Sequence, residues 1–273
     1  MVSETNKQPI ANMAEEALYG KVIEFILPSG YKVRIREQNG ADDDIISNPI
    51  TSQDLSNFRI LISSLVLWTD LPFAVNNKIS QESVKKMLSR DKWFIVFMSR
   101  INSMGSTVKF QYDWNQDGKE VFDFEDDLYD YVWDYSKPMP QEGDPEYRPY
   151  RFEPYDHDKA YKDIDITLST GKALRWRYSD GESELIQMKA PAEQRTRNLG
   201  FKSRNLQQFM DNKWVKVENF QYFTKREIAE LDKLISEQDM EFRGLTELEH
   251  PINKEKVLFP IISTHDFFYP REI

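Results

Sequence analysis

The stretch at residues 23–36, Ile-Glu-Phe-Ile-Leu-Pro-Ser-Gly-Tyr-Lys-Val-Arg-Ile-Arg, decides the fold class of this chain. Apolar side chains recur at alternate positions on both sides of the turn residues Pro28, Ser29 and Gly30. Alternation with a period of two predicts a half-buried strand, and Pro and Gly between two such runs predict a reversal of the chain. The stretch therefore predicts an antiparallel β-hairpin.

The same pattern returns later at a constant offset of 164 − 23 = 141 residues, where 164–171 read Ile-Asp-Ile-Thr-Leu-Ser-Thr-Gly. The comparison needs no gap between 23–46 and 164–187, and both turn glycines are kept where a turn favours a residue without a Cβ. The residues identical in the two copies are, in the numbering of the first, Ile23, Leu27, Gly30, Arg34, Arg36, Gly40 and Ile45. We interpret this echo as an internal duplication, against the alternative that two hairpins resemble each other by chance.

Helical patterns follow the first hairpin. A capping box at Thr51–Asp54 precedes an apolar run, which predicts a helix over Leu55–Trp68 that ends near Pro72. Ser80 begins another helical run, and Asp91 is expected to cap a helix that ends at Gly105. These runs predict a small helical bundle beside the hairpin.

A second hairpin is expected in each half. Alternating apolar residues at 108–124 surround the turn sequence Asn-Gln-Asp-Gly, and 245–259 occupy the matching place in the second half. A further capping box, Thr224–Glu227, begins the helix that precedes the later hairpin. The sequence thus predicts an α+β protein of two related modules, each with a β-hairpin, a small helical bundle and a second, ribbon-like β-hairpin.

Residues 136–160 differ from both halves because prolines and tyrosines are spaced through them with no helical or strand period. Proline at this density removes backbone donors and favours an extended chain. We expect a linker or wrapping segment whose tyrosines, among them Tyr147 and Tyr150, contact the chain's own domains or else a partner. The predicted organisation is an N-terminal arm at 1–20, a first module at 21–135, this linker at 136–160 and a second, diverged copy at 161–273.

Composition narrows the function classes. The chain has 36 Lys and Arg against 46 Asp and Glu, a net charge of −10, which disfavours non-specific nucleic-acid binding. It has no cysteine, which excludes disulfides, cysteine nucleophiles and thiolate metal sites. It is rich in aromatics, with 17 Phe, 13 Tyr and 6 Trp. Aromatic side chains dominate both cores and interfaces, so composition alone does not choose between the two.

Catalytic motifs are missing from the sequence. The histidines are His157, His250 and His265, and no Gly-x-Ser-x-Gly nucleophile motif or glycine-rich phosphate loop accompanies them. The acidic triplets Asp42–Asp44 and Glu125–Asp127 are consecutive, which directs their side chains apart, as in a solvated turn or a helix N-terminus. We expect no enzyme activity, no cofactor and no small-molecule substrate.

Arginines recur at matching positions of the two predicted hairpins. Arg34 and Arg36 correspond to Arg175 and Arg177, with Trp176 between the later pair. An arginine–aromatic strand is able to stack on nucleic-acid bases, but the recurrence and the net charge favour an outward face that pairs with a partner's carboxylates. These residues are therefore candidate protein-interface residues.

The aromatic residues Phe267, Phe268 and Tyr269 near the C-terminus form the other candidate contact. Leaving them in water is unfavourable by roughly 1.5–3 kcal/mol per large side chain. They are expected either to cap this chain's own second module or to insert into a neighbour. Because Tyr129–Trp133 take the matching place in the first half, the intramolecular cap is favoured.

Three motifs together resemble the baseplate protein family of tailed phages, which includes the hub assembly proteins of T-even phages. They are the turn at Leu27–Gly30, the segment Arg90–Gly105 and the close at Asp266–Pro270. In many members of that family, the helix ending in Ser-x-Gly leads into a strand of the form Phe-x-Tyr-x-Cys-x-x-Cys-Gly. That strand forms a zinc-ribbon-like knuckle.

In this chain the knuckle is degenerate. The matching stretch is Phe110–Gly118, so Trp114 and Asp117 stand where the family has thiolates, and His250 with Asn253 form the counterpart in the second half. A structural zinc site needs four nitrogen or sulfur ligands, which these residues do not supply. We expect no bound metal, and we expect Trp114 to fill the volume of the lost ion.

The resemblance implies a non-enzymatic component of a contractile phage tail baseplate, at or near the hub, located in the virion tail and made in the cytoplasm of the host bacterium. Its expected partners are other baseplate and tail hub proteins, with no nucleic acid and no membrane. The alternative is a transient assembly chaperone that is absent from the mature virion. A nucleic-acid-binding protein or metal-dependent enzyme is a third, less favoured class.

Overall fold

The computed structural model describes residues 17–52, 56–116, 118–239, 244–263 and 265–269 of the 273-residue chain. Within these ranges the protein contains both helices and antiparallel sheets with hairpin connections. The α+β class predicted from the sequence is thereby confirmed.

The first half of the chain holds the first hairpin, a group of helices and the second hairpin. Its strands are β1 (Val22–Ile26), β2 (Lys32–Arg36), β3 (Val66–Thr69), β4 (Thr107–Asp113) and β5 (Val121–Asp127). Its helices are α1 (Gly40–Ser47), α2 (Pro49–Ser52), α3 (Ser56–Leu65), α4 (Gln81–Val84) and α5 (Ser89–Met104), and a 3₁₀ turn follows at Leu128–Asp130.

The second half repeats this order with one additional strand before its long helix. Its strands are β6 (Ile164–Thr167), β7 (Ala173–Trp176), β8 (Gln207–Met210), β9 (Lys213–Lys216), β10 (Leu245–Glu249) and β11 (Lys256–Pro260). Its helices are α6 (Gly181–Lys189), α7 (Arg197–Ser203), α8 (Lys225–Gln238) and α9 (His265–Phe268), with 3₁₀ turns at Ala192–Gln194 and Ile261–Ser263.

The described strands form two small sheets and two separate hairpins, and every pairing is antiparallel. One sheet has the order β1-β2-β3 and the other β6-β7-β8-β9, while β4–β5 and β10–β11 each pair only with each other. The hairpins predicted at 108–124 and 245–259 are therefore confirmed.

The turns of the first hairpin, β1–β2, and of the third hairpin along the chain, β6–β7, have the same pattern of hydrogen bonds. The pairs are Leu27 N to Tyr31 O at 2.7 Å and Gly30 N to Leu27 O at 2.8 Å, then Leu168 N to Lys172 O at 2.9 Å and Gly171 N to Leu168 O at 2.8 Å. Both glycines are left-handed, with φ of 86° for Gly30 and 84° for Gly171. This conformation explains why each turn uses glycine.

The correspondence at an offset of 141 extends beyond the hairpins. Asn39 caps α1 and Asp180 caps α6, each with an extended backbone and an oxygen that accepts a backbone N–H of the first turn. Helix α7 begins 197 − 56 = 141 residues after α3, and β8 begins 207 − 66 = 141 residues after β3. An internal duplication predicts such a recurrence, whereas the boundaries at 135 and 161 remain predictions.

The helix predicted over Leu55–Trp68 is too long at its C-terminal end. Helix α3 ends at Leu65, and Val66–Thr69 form β3, which pairs with β2. Valine and tryptophan suit a strand that lies on a pleated surface, and the neighbouring β2 supplies hydrogen-bond partners that no local pattern shows. Tertiary pairing here overrides a run that the sequence alone presents as helical.

The other predicted helix ends are largely confirmed. Ser80 caps a helix, although α4 is only one turn long, and Gly105 ends α5 with φ of 85°. Asp91 is not the cap, because α5 begins at Ser89 and places Asp91 in its first turn. The capping box of α8 forms as expected between Thr224 and Glu227.

Two hydrophobic cores underlie the two sheets. The first contains Phe94 and Phe97 of α5, and the second is built around Trp176 of β7 together with Leu231 of α8. Each core lies between the sheet and the long helix of its own half of the chain. The two sheets are thus stabilised by separate clusters of buried side chains.

The C-terminal hairpin packs on the first core rather than the second. Leu248, Ile261 and Phe267 are buried within the first cluster, and the ring of Phe259 stacks on Phe110 of β4 at 5.5 Å. The expectation that the C-terminal aromatics cap the second module is therefore wrong. The second hairpins of both halves lie against each other, and that contact carries the end of the chain to the first core.

The segment 136–160 wraps along the first half. Phe152 is fully buried in the first core, and its N–H donates to Tyr131 O at 2.8 Å while its carbonyl accepts from Tyr135 Oη at 2.6 Å. Further along, Tyr155 N donates to Pro28 O at 2.9 Å. Of the two interpretations, linker or wrapping segment, the contacts favour wrapping.

No helix among the described residues is both long and apolar enough to cross a membrane.

Candidate functional site: the junction and the hairpin surfaces

A buried arginine joins the two halves. Arg90, in the first turn of α5, is 3 % exposed, and its Nη1 donates to the carbonyl of Glu153 at 2.6 Å. Its guanidinium lies 3.6 Å above the centre of the Tyr155 ring. A buried cation needs such partners, because its desolvation is otherwise unfavourable.

Asp239, just after α8 in the second half of the chain, contacts the same arginine. Its carboxylate lies 3.8 Å from Arg90, accepts from Arg204 Nε at 3.0 Å and accepts from Ser179 N at 2.9 Å. One carboxylate therefore links a cation of the first half to a cation of the second. This cluster of Arg90, Tyr155, Asp239 and Arg204 is called the junction below.

Asp91 follows Arg90 and binds the turn of the first hairpin through a hydrogen bond. Its two oxygens accept from Ser29 N at 3.0 Å and from Tyr161 Oη at 2.6 Å, and the side chain is fully buried. Burial raises the pKa of the Asp91 carboxyl to about 6, and the two hydrogen bonds oppose that rise only in part. Asp91 with Ser29 and Tyr161 is called the first clasp.

Glu227 grips the turn of the third hairpin in the same way. It lies in the first turn of α8, is buried, and accepts from Thr170 Oγ1 at 2.7 Å and from Lys172 Nζ at 3.0 Å. Its hydrogen bonds, first that from Thr170, then those from the Thr224 backbone and from Lys172, lower the pKa of the Glu227 carboxyl to about 2. Glu227 with Thr170 and Lys172 is called the second clasp.

The two degenerate knuckles meet each other. The ring of Trp114 contacts His250 edge-on at 4.9 Å between ring centres, and Phe122 contacts the same imidazole at 4.9 Å. His250 Nδ1 accepts backbone N–H groups from Ile252 at 3.1 Å and Asn253 at 3.2 Å. Of the four predicted knuckle residues, the structure thus brings three together, and the fourth, Asp117, lies outside the described residues.

The contact fits a knuckle held by packing. Because Nδ1 accepts two hydrogen bonds, the proton of the neutral ring lies on Nε2, which is 3.5 Å from the Glu120 carboxylate. Trp114 Nε1 donates to Glu255 at 3.3 Å on the other side of the ring pair. In the part of the chain that the structure describes, no group of three or more His, Asp or Glu is arranged to hold a metal ion.

The predicted outward face of the first hairpin is not outward at Arg36. This arginine is buried, and its guanidinium makes two hydrogen bonds with Asp42, at 2.6 and 2.9 Å. Asp42 and Asp43 lie in the first turn of α1, which confirms the expected helix N-terminus, although Asp42 is buried rather than solvated. The correction has a geometric reason, since Arg36 ends β2 beside α1 and α3 and anchors the helix start. Arg34 is half-buried.

The arginines of the third hairpin, β6–β7, pair with Asp165 of the neighbouring strand and with Asp163 just before it. Arg175 makes two hydrogen bonds with Asp165, at 2.6 and 3.0 Å, and Arg177 pairs with Asp163. Trp176 is fully buried, because alternate residues of β7 face the second core. The prediction that Trp176 lies at an interface is therefore wrong, and both arginines are already matched by carboxylates within the chain.

The tyrosine and phenylalanine candidates are mostly engaged within the chain. Phe267 is fully buried with its ring 5.1 Å from Phe97, so it contributes no docking surface. Phe268 and Tyr269 are half-buried against the first core. Tyr147 and Tyr150 are also half-buried, with Tyr150 packed on that core.

The hairpin β8–β9, which exposes apolar side chains, was not predicted from the sequence. Phe209 is 43 %, Met210 49 % and Val215 38 % exposed, and all three lie on β8 and β9. The turn between these strands is Asp211-Asn212, with φ of 49° and 60°. The sequence signal for this hairpin is the Asp-Asn pair between two short apolar runs, because both residue types tolerate positive φ.

Exposed apolar side chains also lie on the paired knuckle hairpins. Val121 of β5, Leu258 of β11 and Ile252 in the turn between β10 and β11 are exposed at 43 %, 51 % and 78 %. Together with the β8–β9 hairpin, they place exposed apolar side chains on three hairpins of the chain. These hairpin surfaces are the candidate docking sites of the chain.

Comparison with known proteins gives no relative: no protein-family model, no curated protein sequence and no solved structure matches this chain.

Proposed function

We propose that this protein is a non-enzymatic component of a contractile phage tail baseplate, at or near the hub, which docks other tail proteins. The observation that carries the proposal is the placement of exposed apolar side chains on the β8–β9 hairpin and on the paired knuckle hairpins. Clustered exposed apolar residues mark protein–protein contact sites more often than scattered ones do. The choice of a phage baseplate as the assembly rests on the resemblance of the sequence motifs to the baseplate protein family.

The junction supports a docking role because it joins the two halves of the chain, which carry the hairpin surfaces. Arg90 and Asp239 are both 3 % exposed in their side chains. Arg90 contacts Glu153 of the wrapping segment and Asp239 of the second half, and Asp239 also pairs with Arg204. A scaffold that holds two surfaces at a fixed separation loses little conformational entropy when both bind. Proteins of a symmetric assembly benefit from such rigidity.

The charge pattern agrees with the same role. Three of the four arginines that were expected to pair with a partner's carboxylates, Arg36, Arg175 and Arg177, pair instead with Asp42, Asp165 and Asp163 of this chain. Specific contacts with neighbours are then left to the apolar hairpins and to the charges that surround them. The interface would combine an apolar centre with a polar rim.

Quantitative mass spectrometry of purified particles tests the proposal. The chain is measured in particles of its source phage against a tail protein of known copy number. A fixed stoichiometric ratio is the expected result. Absence from particles together with abundance in the infected lysate would contradict the proposal and favour the alternative, a transient assembly chaperone.

A surface variant links the result to the hairpins. Ile252→Ser combined with Leu258→Ser removes exposed apolar surface from the knuckle hairpin and leaves the buried cores untouched. We expect fewer finished particles from a phage that carries this pair. The matched control is Tyr222→Ser, which removes a side chain that is 75 % exposed but lies on neither hairpin. Equal particle yields for both variants would contradict the assignment of these hairpins to docking.

A further inference from the structure

The outer edge of the four-stranded sheet is open. Strand β9 pairs with β8 on one side, and among the described strands no other pairs with it. Val217 N donates to Leu206 O at 2.9 Å, so the backbone groups of Val217 and Val215 point towards β8. In an antiparallel ladder the intervening residues point the other way, which leaves the N–H and C=O of Trp214 and Lys216 facing the open side.

The corresponding edge of the first sheet is already used. There, Thr69 N in β3 donates to Asn77 O at 2.9 Å, and Asn77 Nδ2 donates back to Thr69 O at 3.1 Å. The chain after β3 thus folds over its own edge. After β8 it turns tightly at Asp211-Asn212 and adds β9 instead, which moves the open edge outward.

Apolar side chains flank the open edge on both faces of the sheet. Met210 and Val215 lie on one face, and Phe209 and Trp214 lie opposite each other on the other with 5.2 Å between ring centres. Arg175 covers the Trp214 ring at 4.1 Å from its centre, which orients the indole beside the edge. A strand added here would contact an apolar residue above and another below.

The charges at this edge select against a second copy of the chain. Lys213 and Lys216 are exposed at the two ends of β9, although the chain as a whole carries −10. Lys216 lies 3.5 Å from Glu218 in an exposed pair, which is a weak interaction. Pairing of two copies of β9 would bring lysines close to lysines, which is unfavourable.

The spacing of the lysines defines a complementary segment. They are 216 − 213 = 3 residues apart, an odd number, so their side chains lie on opposite faces of the sheet. An extended partner therefore matches both with acidic residues three positions apart. The two residues between them would face Trp214 and Val215 and be apolar.

We propose that β9 binds an extended segment of another tail protein by strand addition, and that this segment carries the pattern acidic–apolar–apolar–acidic. The identification of the partner as a tail protein rests on the proposed function, whereas the edge, its apolar flanks and its lysines do not. Main-chain hydrogen bonds to Trp214 and Lys216 would supply affinity. The alternating side chains would supply specificity.

The test is a selection from a display library of random peptides of strand length, about eight residues, on the full-length chain. Wild-type protein is expected to enrich peptides with the acidic–apolar–apolar–acidic pattern. The double variant Lys213→Glu with Lys216→Glu changes only exposed side chains and is expected to enrich basic–apolar–apolar–basic peptides instead. An enriched acidic peptide is then titrated against both proteins by fluorescence anisotropy, with binding to the variant about tenfold weaker or more.

A second variant separates the backbone edge from the charges. Lys216→Pro removes the outward N–H and the lysine, and Lys216→Ala removes only the lysine. We expect Lys216→Pro to bind the enriched peptide more weakly than Lys216→Ala, by about fivefold, which corresponds to one hydrogen bond. Unchanged circular dichroism and unfolding temperature establish that each variant is folded.

Three results would overturn the inference: no enriched pattern, the same pattern on the charge-reversed variant, or equal binding by folded Lys216→Pro and Lys216→Ala. The outcome is separable from that of the proposed function. If particles contain the chain while the selection fails, the strand-addition site is wrong and the baseplate role stands. If the selection succeeds while particles lack the chain, the site stands and the baseplate role fails.

Discussion

The two clasps occupy the same place in the two halves of the molecule, but they hold the hairpin turn with different chemical groups. In each, a carboxylate in the first turn of a long helix grips the turn of a β-hairpin, at Ser29 in the first half and at Thr170 in the second, 170 − 29 = 141 residues later. The shared geometry ties the hairpin to the helix that lies across its core. A recurring arrangement of this kind is what an internal duplication predicts.

The clasps differ in what surrounds the carboxylate, and one of these differences is a lysine. Lys172 stands beside Glu227, whereas the matching position in the first half, 172 − 141 = 31, is Tyr31. The second carboxylate keeps its charge, and the pKa of Glu227 is lowered to about 2 by its hydrogen bonds. The first is enclosed by aromatic neighbours, and burial raises the pKa of Asp91 to about 6. The third residues of the two long helices, which lie 227 − 91 = 136 residues apart, thus titrate in opposite directions because their surroundings differ.

The halves also differ in how they complete their cores. The first core takes in the wrapping segment through Phe152 and the C-terminal hairpin through Leu248 and Phe267. The second core keeps only its own sheet and helices, with Tyr155 and Leu88 at its border with the first half. The last hairpin of the second half therefore packs on the core of the first half, and neither half forms an independent packing unit. The junction holds them together.

The largest expected effect comes from breaking the junction. Arg90→Ala removes the cation shared by the Glu153 carbonyl, the Tyr155 ring and Asp239, and leaves a buried carboxylate with less compensation. We expect the free energy of unfolding to fall by roughly 3–5 kcal/mol. Urea denaturation followed by circular dichroism measures the loss.

Arg90→Lys serves as its control, since it keeps the charge but loses the planar contact with Tyr155. It should retain part of the lost stability. A fall of less than about 1 kcal/mol for Arg90→Ala would mean that the two halves are not coupled through this cluster.

The next effect is a change in the pH dependence at the first clasp. The pKa of Asp91 in the folded protein is about 6, above its ordinary value of 3.8, so folding takes up a proton between these values. The free energy of unfolding should therefore fall as pH rises from about 4 to about 6 and then level off. Above pH 6, the buried charge opposes folding by an amount of roughly 3 kcal/mol.

Asp91→Asn is expected to remove this slope, and to unfold at a denaturant concentration no lower than that of the wild type at pH 7. Urea midpoints at pH 4, 5, 6 and 7 measure the difference. Tyr161→Phe removes one hydrogen bond that stabilises the carboxylate, so the pKa of Asp91 should rise further and the fall in stability should continue above pH 6. Parallel pH profiles for the wild type and Asp91→Asn would contradict the titration of this group.

A smaller effect is expected at the paired knuckles. Trp114→Ala removes a half-buried ring that contacts Tyr112 and His250, so we expect a loss of about 2 kcal/mol rather than the full value for a buried tryptophan. Trp114→Phe keeps much of the ring contact but loses the bond to Glu255, and should be milder. Thermal unfolding measures both, and no change in either would show that packing of Trp114 does not hold the knuckle.

The smallest effect concerns the cation of the second clasp. Because the pKa of Glu227 is lowered to about 2, its contribution to stability is present above about pH 4.5 and is lost as pH falls towards 2. Lys172→Met raises the pKa of Glu227, so the loss of stability over this acid range should become shallower. Acid titration followed by circular dichroism measures the slope.

Lys233→Met is the matched control, since Lys233 forms only an exposed pair with Glu237. It should leave the acid slope unchanged. Identical slopes for the wild type and Lys172→Met would indicate that the hydrogen bonds from Thr170 and Thr224 alone keep Glu227 ionised.

Local patterns in the sequence determined the hairpins, their turns and several helix ends. The turns of β1–β2 and β6–β7 need glycine at positive φ, and the capping box at Thr224 needs only residues three apart. Such features depend on neighbours in the chain, so spacing is enough to predict them. For the same reason the repeat at an offset of 141 residues and the α+β class could be predicted from the sequence alone.

The tertiary structure decided everything that depends on distant partners. It assigned Val66–Thr69 to a strand because β2 lies beside it, and it buried Arg36 against Asp42 because α1 packs next to β2. It carried Phe267 to the first core through the contact between the second hairpins. It also placed β9 at the edge of its sheet, where β8 is its one partner among the described strands. Hydrophobic burial and hydrogen-bond pairing depend on which elements are close in space. The periodicity of the sequence shows which face of a strand is apolar, but it does not show what that face packs against.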